Sequence, residues 1–177
     1  MSTLSIRLTV GLAALALLAV AQQKIPPGIG KGWIPEFDHA ATQINALAEA
    51  TPADKFSWRP GAGVRSVSEV YVHLAMSNFF LLAQTGVAMP PTAAARIKAD
   101  TEKTLTAKAD VVKFLKDSQA FIRNSYIEVD KKKPVKFFSG DTNAEGVLLR
   151  ILVHNHEHMG QSIAYARMIG VTPPWSQ

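Results

Sequence analysis

The sequence predicts an all-α protein, a four-helix bundle preceded by a cleavable signal peptide. Three observations carry this. Four segments repeat apolar residues at helical spacing, i, i+3, i+4 and i+7. Two of them open on a capping box, in which a Ser or Thr hydroxyl and a Glu three residues later satisfy each other's backbone N–H. No segment sustains the period-two alternation of a half-buried strand, so no sheet is expected. There is no internal repeat of helix-pair length, which sets a solenoid aside.

Residues 1–21 read as an export signal. Arg7 gives a positive start, Leu8 to Leu18 is apolar apart from Thr9 and Gly11, and Ala19-Val20-Ala21 is a small-x-small cleavage site. The run is short for a bilayer crossing, so no stable membrane span is expected after cleavage. The competing reading is a retained anchor. Without a cysteine anywhere in the 177 residues, lipoprotein anchoring, disulfides and thiol chemistry of the chain's own are excluded. Cleavage removes Arg7 and lowers the formal charge from +5 to +4. The one dense basic run, Lys131-Lys132-Lys133 with Lys136, has no interleaved aromatics for base stacking, so nucleic acid is not an expected partner.

Residues 22–34, rich in Pro and Gly, form a flexible lead-in. Residues 35–175 form the bundle. The first helix opens at Pro35, with Glu36 and Asp38 at its positive end, and Phe37, Ala41, Ile44, Leu47 and Ala48 make its core stripe. His39 falls opposite that stripe and reads as a surface histidine. A loop from Thr51 to Arg65 carries Phe56 and Trp58, which should fold over one end of the domain. The box Ser66-Val67-Ser68-Glu69 opens the second helix, which ends before Gly86. Its stripe is Val70, Leu74, Ser77 and Leu81, with His73 beside it. Met89 to Lys103 is a connection without clear order. The third helix runs from about Thr106 to Glu128 on Val111, Phe114, Leu115, Ser118, Phe121, Ile122 and Ser125. Val129 to Gly140 is a loop. The box Thr142-Asn143-Ala144-Glu145 opens the last helix, whose stripe is Leu148, Ile151, Leu152, Met159, Ile163, Ala166 and Ile169. Gly170 and Pro173-Pro174 stop it.

The chemistry gathers in His154-Asn155-His156-Glu157-His158-Met159-Gly160-Gln161. Residues four apart share a helix face, so His154 and His158 point the same way and His156 points nearly opposite. Two imidazoles so placed can grip a transition metal, and His73 is the candidate third ligand. Three neutral imidazoles leave a coordination position open for water or substrate. Several plain readings stand beside this one. His73 can be a hydrogen-bonded core histidine, and the i, i+4 pair can arise by chance. His154, His156 and His158 together can also be a loose surface metal trap. Glu69 can accept from His73, though its capping role already explains it. Glu157 reads as solvated, and Gln161 can touch a bound ligand or pack the helix end.

These residues also carry a resemblance. Ser57-Trp58-Arg59-Pro60 and Gly63-Val64-Arg65-Ser66-Val67, leading to His73, resemble the first half of the DinB-like putative metalloenzymes. His154-x-x-x-His158-Met159-Gly160-Gln161, then Ala164-Tyr165, Ile169-Gly170 and Pro173-Pro174, resembles their last helix. The resemblance covers about residues 35 to 175. It implies a four-helix bundle with one divalent metal held by His73, His154 and His158. Zinc or nickel comes first, with iron, copper and manganese as alternatives, since all accept imidazole. Some relatives use a small thiol, as in mycothiol-dependent maleylpyruvate isomerase and bacillithiol transferases. This chain departs from the family at Met159, where Arg is frequent, and in its export signal.

Three functional readings follow. The first is an exported metal-dependent enzyme, a hydrolase or thiol-dependent transferase, acting on a small-molecule substrate. The second is a non-catalytic metal-binding or stress-associated module, and the third a plain structural bundle. No catalytic residue beyond the ligands is identifiable, and a homodimer is left open.

Overall fold

A computed structural model describes residues 29–138 and 140–176. The signal of residues 1–21 and most of the lead-in 22–34 lie outside the described residues. Four long helices build the domain: α1 Trp33–Ala50, α2 Val67–Gln84, α5 Lys108–Ser125 and α6 Ala144–Met168. Two short ones, α3 Pro91–Arg96 and α4 Thr101–Thr104, occupy the connection between α2 and α5. The principal packing pairs are α2 with α5 and α6, and α1 with α6 and α5. Consecutive helices α1 and α2 therefore sit diagonally across the bundle, as do α5 and α6. No described helix is long and apolar enough to cross a membrane.

The stripes read from the sequence are the buried faces. Phe37, Ala41, Ile44, Leu47 and Ala48 of α1 are buried, and so are Val70, Leu74 and Leu81 of α2. Asn78 rather than Ser77 turns fully inward on α2. Trp33 is already helical, two residues ahead of Pro35, because its indole is claimed by the core. It stacks on Phe37 and Tyr126, and its Nε1–H donates to the Leu148 carbonyl at 3.1 Å.

The core falls into two halves. One gathers Ile44, Phe56, Val70, Tyr71, Phe79 and Phe114; the other gathers Phe37, Leu82, Ile122, Val135 and Ile151. Phe56 is buried, and Trp58 meets Tyr165 edge-on at 5.5 Å. The loop carrying them closes one end of the bundle, as its aromatics led one to expect. Its carbonyls at Trp58 and Phe56 accept from the Val67 and Ser68 N–H groups, at 3.0 and 2.9 Å. Those are among the orphan donors that a helix start must satisfy. The Ser66/Glu69 capping box is present in both directions.

Two expectations are corrected. The segment read as a loop contains an antiparallel hairpin, β1 Pro134–Phe137 and β2 Gly140–Asn143, in the register Pro134↔Asn143 to Phe137↔Gly140. A ribbon of four-residue strands is marginal by itself. This one is held because Val135 buries into the second half of the core, with Phe137 packed against it. The hairpin also moves the start of α6. Thr142 pairs with Val135 in the ribbon, so the expected box at Thr142 does not form. Asn143 is the N-cap instead, and its Oδ1 accepts from the Gly146 N–H at 2.9 Å. A Cβ at Gly146 would lie 2.4 Å from the Thr142 hydroxyl, so a side chain there would have to push that hydroxyl aside.

Candidate metal centre

His73 lies on α2, one turn beyond the capped first turn. His154 and His158 lie one turn apart on α6. Because α2 and α6 pack antiparallel, the three rings meet. Ring centroids are 5.3 Å apart for His73–His154, 5.0 Å for His73–His158 and 4.4 Å for His154–His158. One ligand nitrogen from each ring can be chosen so that all lie within 4.8 Å of one another. This is the trio named from the sequence. His156 is excluded from it. It turns to the opposite side, with Nδ1 2.9 Å from the Leu152 carbonyl and Nε2 3.9 Å from Glu36. The loose trap of three neighbouring histidines therefore does not exist. His39 lies outside the cluster, half-buried on α1, and Glu157 is exposed and paired with Arg150.

The outer nitrogens show how the cluster is aimed. His73 Nδ1 is 2.8 Å from Glu102 Oε1. Burial alone would raise the Glu102 carboxyl. Hydrogen bonds from Arg65 and His73 outweigh that and hold it below the usual carboxylate range. Glu102 is therefore a pure acceptor. His73 must carry its proton on Nδ1 and present the Nε2 lone pair.

A longer chain fixes His158. The Arg65 backbone carbonyl can only accept, so the Tyr165 hydroxyl donates to it at 3.2 Å. That hydroxyl then accepts from Gln161 Nε2 at 3.1 Å, which turns Gln161 Oε1 toward His158 Nδ1 at 2.8 Å. His158 Nδ1 is thus a donor, and its Nε2 presents a lone pair. Gln161 acts on the ligand histidine, an outcome its position on the helix left undecided.

His154 has no such partner. Its Nδ1 is buried without a hydrogen bond among the described residues, and its Nε2 lies 3.0 Å from His158 Nε2. Two ring nitrogens this close cannot both show lone pairs unless a proton or a cation lies between them. Burial, then repulsion from His158 and His73, pushes His154 down to about 4, and burial likewise lowers His158. These two rings, His154 and His158, stay neutral at ordinary pH, as ligands must be. Four-coordinate zinc at Zn–N of about 2.0 Å spaces its ligands about 3.3 Å apart, so the residues fit a divalent transition metal.

A family model described as the DinB superfamily matches residues 36–162. The chain belongs to the DinB superfamily. Among solved structures, a DinB-like protein from Bacillus cereus has TM-score 0.68 at 14% identity, covering 82% of this chain and 95% of that one. The DinB-like protein YjoA from Bacillus subtilis has TM-score 0.62 at 19% identity, covering 79% and 93%. YfiT from Bacillus subtilis, described as a probable metal-dependent hydrolase with an unusual four-helix bundle topology, has TM-score 0.59 at 14% identity, covering 85% and 93%. No curated protein matches the chain. The helical bundle and the family resemblance read from the sequence hold, with the hairpin as the exception to an all-α chain.

Sequence reasoning missed Glu102, Tyr165 and Arg65 as parts of this DinB site, and offered Glu69 as the acceptor for His73. Glu69 is spent elsewhere, on the Ser66 N–H at 2.8 Å and on Arg59 through both carboxylate oxygens. Glu102 takes its place from α4, fixed there by the buried Thr101 hydroxyl. That hydroxyl donates to the Arg96 carbonyl at 2.9 Å and accepts from the Lys98 N–H at 2.8 Å.

Proposed function

We propose that this DinB protein is a metal-dependent enzyme acting on a small molecule, with His73, His154 and His158 as the ligands of one divalent ion. The observation that carries the reading is the pair of tautomers set from outside. Glu102 and Gln161 each occupy an Nδ1 and leave an Nε2 lone pair facing the shared point. A bundle that needed these histidines only for packing has no use for that arrangement.

When bound, the ion supplies Lewis acidity at a coordination position the three imidazoles leave free. The chain's own residues do the rest. Glu102 and Gln161 hold two rings in aim, and burial keeps His154 and His158 unprotonated. Zinc and nickel suit this all-imidazole set, and iron, copper and manganese remain chemically admissible. The reaction is a hydrolysis or a transfer to a thiol. The fold shared with YfiT, together with its description as a probable metal-dependent hydrolase, puts hydrolysis first.

Elemental analysis of the purified chain tests the reading beside His73→Ala and His154→Ala. About one divalent ion per chain is expected in the parent, and little in either variant. Equal metal content in all three proteins sinks it.

A further inference from the structure

A cleft of about 700 Å³ lies against the cluster, walled by Arg59, Arg65, Glu69, Glu102, Lys103 and Gln161. It shares Glu102 and Gln161 with the histidines, since each of these bonds a ring nitrogen from the cleft side. Its charges are unevenly used. Glu69 accepts from Ser66 and Arg59 through both oxygens, and Glu102 accepts from His73 and Arg65 in the same way. Both carboxylates are therefore satisfied. Arg59 is likewise engaged, by Glu69 and the Val64 carbonyl, but the other two cations are not. Lys103 is exposed, and its ammonium makes no ion pair or hydrogen bond among the described residues. Arg65 spends Nε at 2.8 Å, and Nη2 at a long 3.5 Å, on Glu102 and leaves Nη1 without a partner. Three cations thus face two carboxylates that are already engaged. The cleft offers donors and surplus positive charge on the outer, Nδ1 side of His73 and His158.

Resting on the metal-centre reading above, we propose that this cleft recognises an oxyanion group of the substrate, a carboxylate or a phosphate, through Lys103 and the free edge of Arg65. A charged donor recovers most when it meets an ionised acceptor, and the guanidinium edge adds direction to the point charge of the lysine. The substrate class is then a small anionic molecule, whose oxyanion sits in the cleft behind Glu102 and Gln161, the two residues that aim the histidines. The group of Arg65 also bonded to Glu102 makes the same residue part of ligand aiming and of anion recognition.

Calorimetric titration of the zinc-loaded full chain with succinate, inorganic phosphate and neutral succinamide tests this, alongside Lys103→Ala and Lys103→Glu, with zinc content measured in every sample. The expected result is binding of succinate or phosphate but not of succinamide. Affinity should fall about tenfold in Lys103→Ala and further in Lys103→Glu, with zinc unchanged. The succinate and phosphate arms tell which oxyanion is preferred. Equal anion affinity in the parent and Lys103→Glu means that the anion sits on zinc alone, and overturns the proposal. Succinamide binding as well as succinate also overturns it. A parent chain that takes up no zinc defeats the metal reading and this inference together, whereas retained zinc with unmoved anion binding defeats only the inference.

Discussion

Helices α2 and α6 build two polar clusters little more than a turn apart, and the two are finished differently. At one, Asn155 Nδ2 donates to Asn78 Oδ1 and to the Ile151 carbonyl, both at 2.8 Å, and Asn78 Nδ2 donates to Ser118 Oγ at 3.2 Å. All three residues are 0% exposed. They fall, with Asn45 and Gln119, where the two halves of the apolar core meet. At the other, His73, His154 and His158 are only partly covered. The outer nitrogens of His73 and His158 are tied, that of His154 is not, and the inner ones face each other. Among Asn78, Ser118 and Asn155 the amide donors to hand are absorbed by neighbours and Asn155 Oδ1 is left over, while Asn45 Oδ1 and Gln119 Nε2 beside them also lack partners among the described residues. Among the histidines the loose ends converge. A closed polar network in a core sets which helices lie side by side, whereas a convergent one is arranged for something to be added.

The comparison predicts opposite signatures for the two clusters. The largest effect belongs to the amides. Asn155→Ala strands Asn78 Oδ1 in the core and opens a small cavity. It should cost about 2–4 kcal/mol in denaturant unfolding, while metal content per folded chain stays at the parent's level. A neutral Asn155→Ala would mean that the network is decorative. Next comes Glu102→Gln, which keeps an acceptor near His73 but removes its charge. Metal affinity, read by competition with a chelator, should fall about 10- to 100-fold with little change in stability. Affinity equal to the parent's would reduce Glu102 to a surface ion pair with Arg65.

The smallest effect is the pH dependence of the protein stripped with chelator. His154 titrates at about 4 in the fold, against an ordinary value near 6.5. Between those values the unfolded chain binds a proton that the folded chain refuses, so stability should decline as pH falls from about 6.5 to about 4 and level off below. His158 is shifted the same way and contributes with the same sign. Both rings are partly solvated, which shrinks the size of the effect. His154→Ala should flatten the slope in that window. An unchanged slope would place the acid sensitivity elsewhere.

What the sequence reveals here follows the range of the interactions. The Ser66/Glu69 box and the His154/His158 pair are decided within one helical turn, and both stand where the spacing put them. His73 was placed beside a core stripe by the same periodicity, and the antiparallel packing of α2 on α6 brought it to the pair. Glu102 could not be found in this way. It lies 29 residues from His73, in a connection with no apolar period, and only the folding of α3 and α4 carries it there. The hairpin was hidden because four residues per strand give too little alternation to read, and Lys133 and Lys136 look like a solvated loop. Arg65 and Tyr165 are 100 residues apart and meet through a backbone carbonyl, which has no sequence signature.

One arrangement bears on the whole molecule. The triad joins the second long helix to the last, and the chain between its two sides includes α3, α4, α5 and the hairpin. This protein has no cysteine to staple that span. Once filled, the three imidazoles would fasten it reversibly, locking the bundle where an ion is plentiful and releasing it where acid or a stronger chelator takes the ion away.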